Sequence, residues 1–276
     1  MEYRLLIDTS DEKGLVYTIS KVLFEHSLNI ESNSEYVHKE ENKFFMRTVL
    51  SGEFNQEKLL SDIKNVLPND ARIKLAPNSK KDIVILATKE AHCLGDILIR
   101  YVSGELNANI KAVVANHETL KDLVNKFNIP FELVSHENLS REAHEDLVIN
   151  AIDKYNPELI VLAKYMRILN PKFVNTYNGK ILNIHHSFLP AFIGANPYKQ
   201  AFNRGVKIIG ATAHYVTDDL DEGPIISQDV VRIDHTYTWQ DMRDAGRNVE
   251  KVVLSNALNL LLQDKVFLHG NKTVIL

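Results

Sequence analysis

The chain has 276 residues, 45% of them hydrophobic and 25% charged, with a net charge of −4 and a pI near 6.3. These values suit one or two ordinary globular domains and give no electrostatic reason to expect a nucleic-acid partner. A single cysteine, Cys93, excludes an intrachain disulfide; with no basic, apolar leader and no run long enough to cross a bilayer, a soluble cytoplasmic protein with no membrane partner is expected.

Residues 3–7 read as a strand and 8–13 as a polar turn. Gly14 then opens an amphipathic helix to about residue 25, with Leu15, Ile19, Val22 and Leu23 on one face. Two strands, 29–37 and 43–50, are joined by the polar stretch 38–42; a helix over 56–66 and a strand over 72–76 follow. The order βαββαβ is the ferredoxin-like split βαβ arrangement, predicting a first domain over 1–77. The polar stretch 78–81 is a linker.

A second domain, 82–276, begins with the continuous apolar run 82–87, as in a strand covered on both faces. Helices over 94–102, 120–127 and 140–154, the last with Ser140 as N-cap, alternate with strands over 110–115, 131–134, 159–163 and 181–184. Repeated βα units predict a doubly wound, mostly parallel, Rossmann-like sheet, and such sheets bind ligands beyond the carboxyl ends of their strands. Longer strands over 208–216 and 224–231 flank an acidic loop, and Thr238 caps a long helix to about residue 262.

The chemistry-bearing residues cluster after two of these strands. Asn183 and His185 are two apart and share a face while the chain stays extended. An amide and an imidazole together can donate to an oxyanion, and the acidic loop brings Asp221 within range as a base or as the group that fixes the state of His185. Pattern alone does not separate this from a packed strand-end histidine. Ser187 has no nucleophile elbow around it and is read as capping the turn. His185 and His186 alternate across the strand with no metal-ligand spacing, so no metal is expected. Cys93 reads as a small packed residue and Trp239 as a core or interface aromatic.

Three stretches, Asn183 to Gly194, Gly205 to Val216 and Leu220 to Ile226, resemble the signature of the 10-formyltetrahydrofolate formyltransferase family. The resemblance implies a catalytic set of Asn183, His185 and Asp221, with His214, Ser187 and Gly194 supporting it. It implies a folate pocket formed by Met166, Arg167, Ile168 and Leu169 on one wall and Val216, Thr217 and Leu220 on the other. Formyl transfer would then proceed with no bound cofactor, 10-formyltetrahydrofolate being the substrate.

The acceptor separates hydrolase from transferase. Transferases of this family that act on a ribonucleotide amine cradle a phosphate on a Gly-rich loop after the first strand. Here that place reads Ala87-Thr88-Lys89-Glu90-Ala91-His92-Cys93, without the glycines and with Glu90 opposing an anion. The segments 89–96 and 192–198 resemble the deformylases of the family, and residues 11–16 and 26–30 resemble an ACT domain. That resemblance implies hydrolysis to tetrahydrofolate and formate in one-carbon metabolism serving purine synthesis. It also implies a homo-oligomer and a glycine or methionine effector near Asp11, Gly14, Leu15 and Asn29. Transfer to an amine, and an amino-acid sensor without catalysis, are the alternatives.

Overall fold

The computed structural model describes residues 2–192 and 196–276 and divides into two compact units. Gly194, expected to support the site, lies outside the described residues. The first unit runs to Ser79 and takes in Gln263–His269 and Thr273–Leu276. Its elements are β1 (Glu2–Ser10), α1 (Leu15–Glu25), β2 (Asn29–His38), β3 (Lys43–Ser51), α2 (Gln56–Val66) and β4 (Arg72–Pro77). The strands form an antiparallel sheet in the order β2-β3-β1-β4, the split βαβ topology. Leu15, Ile19, Val22 and Leu23 of α1 and Leu59 and Ile63 of α2 close over Leu5, Ile7, Met46 and Leu50.

The chain's last residues correct a sequence expectation. Residues 82–276 are expected to form one domain, yet β12 (Val266–His269) and most of β13 (Lys272–Ile275) belong to the first unit. Phe267 packs edge-on against Phe45 beside Leu6. Arg4 pairs with Asp264 at 2.9 Å, both buried, and Arg47 donates twice to the Gln263 carbonyl. Two four-residue strands carry too short a period to be read from sequence.

The second unit, Lys80–Leu262 with Gly270–Lys272, is built on seven strands. In chain order these are β5 (Lys81–Ala87), β6 (Ala108–Ala115), β7 (Phe131–Leu133), β8 (Leu159–Ala163), β9 (Ile181–His185), β10 (Ile208–Tyr215) and β11 (Ile225–Arg232). The intervening helices are α3 (His92–Val102), α4 (Lys121–Asn125), α5 (Arg141–Asp153), α6 (Pro171–Thr176), α7 (Pro197–Arg204) and α8 (Trp239–Leu262). Sequence periodicity missed α6 and α7, which have only six and eight residues. The sheet order is β11-β10-β9-β8-β5-β6-β7; β9 through β7 are parallel, whereas β10 runs antiparallel to both its neighbours.

Helix starts follow capping chemistry. The Ser140 hydroxyl accepts from the Ala143 amide, as expected, and Thr238 and Asp241 cap each other's backbone at the start of α8. From β5 the chain winds outward through β6 and β7, then returns to β8 and β9 on the other side. That reversal opens a crevice beyond the carboxyl ends of β5, β8 and β9.

Candidate active site

A cavity of about 620 Å³ fills the crevice, within the usual range for small-ligand pockets. Asn183, His185, His214 and Asp221 lie together on its wall. Strand register accounts for three of them: β9 and β10 pair antiparallel with Asn183 opposite His214 and His185 opposite Thr212. Asp221 comes from the loop after β10 in a left-handed backbone conformation, φ 59°, uncommon outside glycine and often found where a side chain must be aimed.

Hydrogen bonds fix the roles within the cluster. The Nδ1 of His214 lies 2.8 Å from the Tyr215 carbonyl, which can only accept, so Nδ1 carries the proton. Burial pushes the His214 imidazole below its ordinary pKa, against the pull of that carbonyl and of Asp221. His214 is therefore neutral and its Nε2 accepts, which makes Asn183 present its NH₂ at 3.1 Å. Among the described residues the other N–H of Asn183 has no partner and can serve a ligand. His185 places Nδ1 3.2 Å from Asp221 Oδ1, while its Nε2 is buried with no partner among the described residues. Burial alone would raise Asp221, but the hydrogen bond to His185 and the charge of that ring hold it below the usual carboxylate range. It thus stays ionised.

Ser187 does not join this set. Its buried hydroxyl donates to the Ala191 carbonyl at 2.7 Å, closing the turn after β9 as expected, while Thr212 bonds the Ser187 carbonyl and the Leu189 amide.

The expected folate residues line the same cavity from two sides: Met166, Arg167, Ile168 and Leu169 after β8, and Val216, Thr217 and Leu220 after β10. Met166 and Ile168 are each 56% exposed and Leu220 50%, large apolar surfaces facing a pocket. Three anchors absent from the sequence reading hold the first loop. Thr88 Oγ1 accepts from the Met166 amide, Arg141 donates to the Ile168 carbonyl, and Glu145 accepts from the Asn170 amide.

The far side of the cavity carries a polar group that sequence reasoning also missed. Glu250, 1% exposed, accepts from Tyr198 Oη at 2.5 Å and His92 Nε2 at 2.7 Å, and pairs with Lys164 Nζ at 3.2 Å. Burial works to raise the Glu250 carboxyl, but His92, Lys164 and Tyr198 bring it down to about 2. Lys164 is itself buried and takes a left-handed φ of 61° directly after β8. Glu90 is paired with Arg247 at 3.2 Å and stands 3.4 Å from His92.

Among the described residues, His92, Cys93 and Glu250 come close enough to share an ion, as do His38, Glu41 and His269; neither group includes His185 or His186. In the first, His92 and Glu250 already bind each other, and burial, reinforced by Glu250, holds the Cys93 thiol well above its ordinary pKa. A protonated thiol is a poor ligand, so this set does not suit a metal.

The four residues expected to form an effector site do not converge within the chain. Gly14, at φ 96°, and Leu15 open α1; the Asp11 amide bonds the Asn42 carbonyl at one end of the sheet. Asn29 pairs with Ser51 at the opposite end, eight positions along β3 from Lys43, or roughly 26 Å at ~3.3 Å per residue.

His186 lines the active cavity, and burial lowers its pKa to about 4, with Lys164 and His185 adding to the effect. Unfolding lets it bind a proton at its ordinary value of 6.5, so the neutral ring stabilises the fold fully above that pH. The contribution, about 3 kcal/mol, is lost as pH falls from 6.5 through about 4. Urea unfolding followed by the single tryptophan, Trp239, should show this loss in the wild type and a shallower slope in His186→Gln over the same window.

Comparison with known proteins agrees with the geometry. The family model described as formyl transferase matches residues 81–258. The formyltetrahydrofolate deformylase of Haemophilus influenzae is 56% identical over 272 residues, 99% of this chain and 98% of that protein. The crystal structure of a formyltetrahydrofolate deformylase from Pseudomonas syringae pv. tomato superposes with a TM-score of 0.95 at 38% identity, covering 100% of this chain and 94% of that one. A glycinamide ribonucleotide transformylase from Symbiobacterium toebii superposes at 0.69 and 28% identity, covering 71% of this chain and 94% of its own. The chain therefore belongs to the formyltetrahydrofolate deformylases, with a formyl transferase domain over residues 81–258.

Proposed function

We propose that the second unit hydrolyses 10-formyltetrahydrofolate to tetrahydrofolate and formate, with Asn183, His185 and Asp221 as its catalytic residues. The observation that carries this reading is the His185–Asp221 pair beside Asn183 on the wall of one cavity large enough for a pterin. As water attacks the formyl carbon, the free N–H of Asn183 and the Nε2–H of a protonated His185 bind the developing oxyanion. The water's proton passes toward Asp221, and His185 delivers its Nε2 proton to the folate nitrogen as the C–N bond breaks. Formate and the free amine leave, Asp221 gives up its proton to water, and His185 regains a proton at Nε2 from water while its Nδ1–H stays on Asp221 at 3.2 Å. The test is formate release from 10-formyltetrahydrofolate with no added amine and with a chelator present. Steady release matched by tetrahydrofolate supports the reading; turnover only on adding an amine would replace it with a transferase.

The pterin is assigned to the pocket between Met166–Leu169 and Val216–Leu220. Leu220→Ala removes apolar surface that a bound ligand would cover, about 1–1.5 kcal/mol at ~25 cal/mol per Å². KM is expected to rise about tenfold with kcat nearly unchanged, the signature of lost uniform binding. A fall in kcat with KM intact would place the pterin elsewhere.

The first unit is assigned as an ACT-type regulatory module taking glycine or methionine as effector. Its edge strand β2 is exposed on both faces from Asn29 to Tyr36, the kind of edge that pairs with another chain, which supports a homo-oligomer. Because Asn29 and Asp11 stand at opposite ends of the sheet, an effector site drawing on both would have to combine two protomers. A cytoplasmic enzyme supplying formate and balancing the folate pool for purine synthesis is the setting this activity fits.

A further inference from the structure

The Glu250 cluster plays no part in the mechanism above, yet Glu250, Lys164, Tyr198 and Glu90 line the same cavity as Asn183, His185 and Asp221. A buried ion pair is a weak device for stability, because desolvation offsets most of its Coulomb energy. Its retention beside a reacting centre calls for a reason in specificity. The fold is also shaped around it: an added Cβ at Gly246, one turn before Glu250 on α8, would stand 2.1 Å from Tyr198 Oη. The helix thus leaves Tyr198 just the room it needs to reach Glu250.

A formyl group has two classes of acceptor, an amine or water. An amine arrives in water largely as its ammonium, and the group in this cavity that would receive an ammonium is a buried carboxylate. Both oxygens of Glu250 are already engaged, Oε1 by Tyr198 and Oε2 by His92 and Lys164. One of those donors is itself an ammonium, supplied by the chain and held in place by the left-handed backbone at Lys164. An amine entering here would meet a like charge and a carboxylate that already accepts from three donors, both of which disfavour it. Water, small and neutral, needs neither.

We infer that Lys164 is a specificity-determining residue: its ammonium, seated on Glu250, fills the place of an amine acceptor and reserves the formyl group for water. The inference rests on the hydrolase reading and extends it to the choice of acceptor. In the reaction excluded, the amine nitrogen would form the new C–N bond as the folate C–N bond broke. The folate nitrogen would then take up the proton that the amine lost.

The test uses the full-length protein with 10-formyltetrahydrofolate and glycinamide, a small primary amine, and measures formate and N-formylglycinamide together. The wild type should give formate alone, with or without glycinamide. Lys164→Met removes the ammonium at similar length, and Lys164→Gln keeps a neutral donor toward Glu250 in case the first variant does not fold. In either, N-formylglycinamide should appear at no less than ten times the detection limit that bounds the wild type, and its ratio to formate should saturate with glycinamide. That ratio is a partition, so a general loss of stability or rate leaves it unmoved. An unchanged ratio in a variant that still turns over would overturn the inference. So would two folded but inactive variants, which would make Lys164 part of the chemistry, or two that fail to fold, which would make it structural. A wild type needing glycinamide to turn over at all would instead overturn the hydrolase reading beneath it.

Discussion

Replacing Asp221 by Asn is expected to cut formate release about a thousandfold, roughly 4 kcal/mol of transition-state stabilisation, and His185→Ala should cost at least as much. The two act as a unit. The Asp221 carboxylate is held ionised beside His185 Nδ1, so it serves as counter-charge to the imidazolium whose Nε2–H faces the oxyanion. Asn keeps the shape but not the charge, and it can present its NH₂ to Nδ1 and favour the wrong tautomer. The double variant should therefore be little worse than either single one, since coupled groups are not additive. Thermal unfolding should stay within a few degrees of the wild type, separating lost chemistry from lost fold. Activity within tenfold of normal in both single variants would remove the mechanism.

Much of this arrangement was legible in the sequence because the relevant periods are short and local. Asn183 and His185 share a face by strand alternation alone, and Ser140 and Thr238 announce helix starts by hydrogen-bonding chemistry. The buried run 82–87 is legible because a strand covered on both faces has no polar position to break it. What could not be read is what depends on distant pairing. Nothing local in Glu250 distinguishes it from the exposed acids of an ordinary helix; its role appears only when His92, Lys164 and Tyr198 arrive from three other parts of the chain. The same holds for Phe267, which is drawn to Phe45 across more than two hundred residues. His214 is intermediate: the motif flags it, but its neutral state and its hold on Asn183 follow from burial and from the Tyr215 carbonyl.

The glycine after the acidic loop should matter almost as much as the catalytic side chains. Gly223→Ala would place a Cβ 1.8 Å from the Tyr215 carbonyl oxygen and 2.9 Å from its carbon. Both atoms are backbone, so no side chain can swing aside to make room. The strand is pinned there as well: the Tyr215 amide donates to the Pro224 carbonyl, and the β10–β11 register already shifts between Ala213 and His214. The Tyr215 carbonyl must therefore move, and it is the acceptor that fixes the His214 tautomer and, through it, the Asn183 amide. Asp221, two residues earlier, moves with the loop. A displacement of about 1 Å at such a site costs on the order of a hundredfold in rate, and overpacking of this kind about 1–3 kcal/mol of stability. Gly95 on α3 provides the contrast: an added Cβ there meets nothing within 4 Å. Gly95→Ala should raise stability by about 0.5–1 kcal/mol through helix propensity, with kcat unchanged. Measuring kcat and unfolding for the two alanines side by side separates a space requirement from a general intolerance of substitution. If Gly223→Ala kept normal kcat, the loop would not be what positions Asp221, and the link from Tyr215 through His214 to Asn183 would carry no catalytic weight.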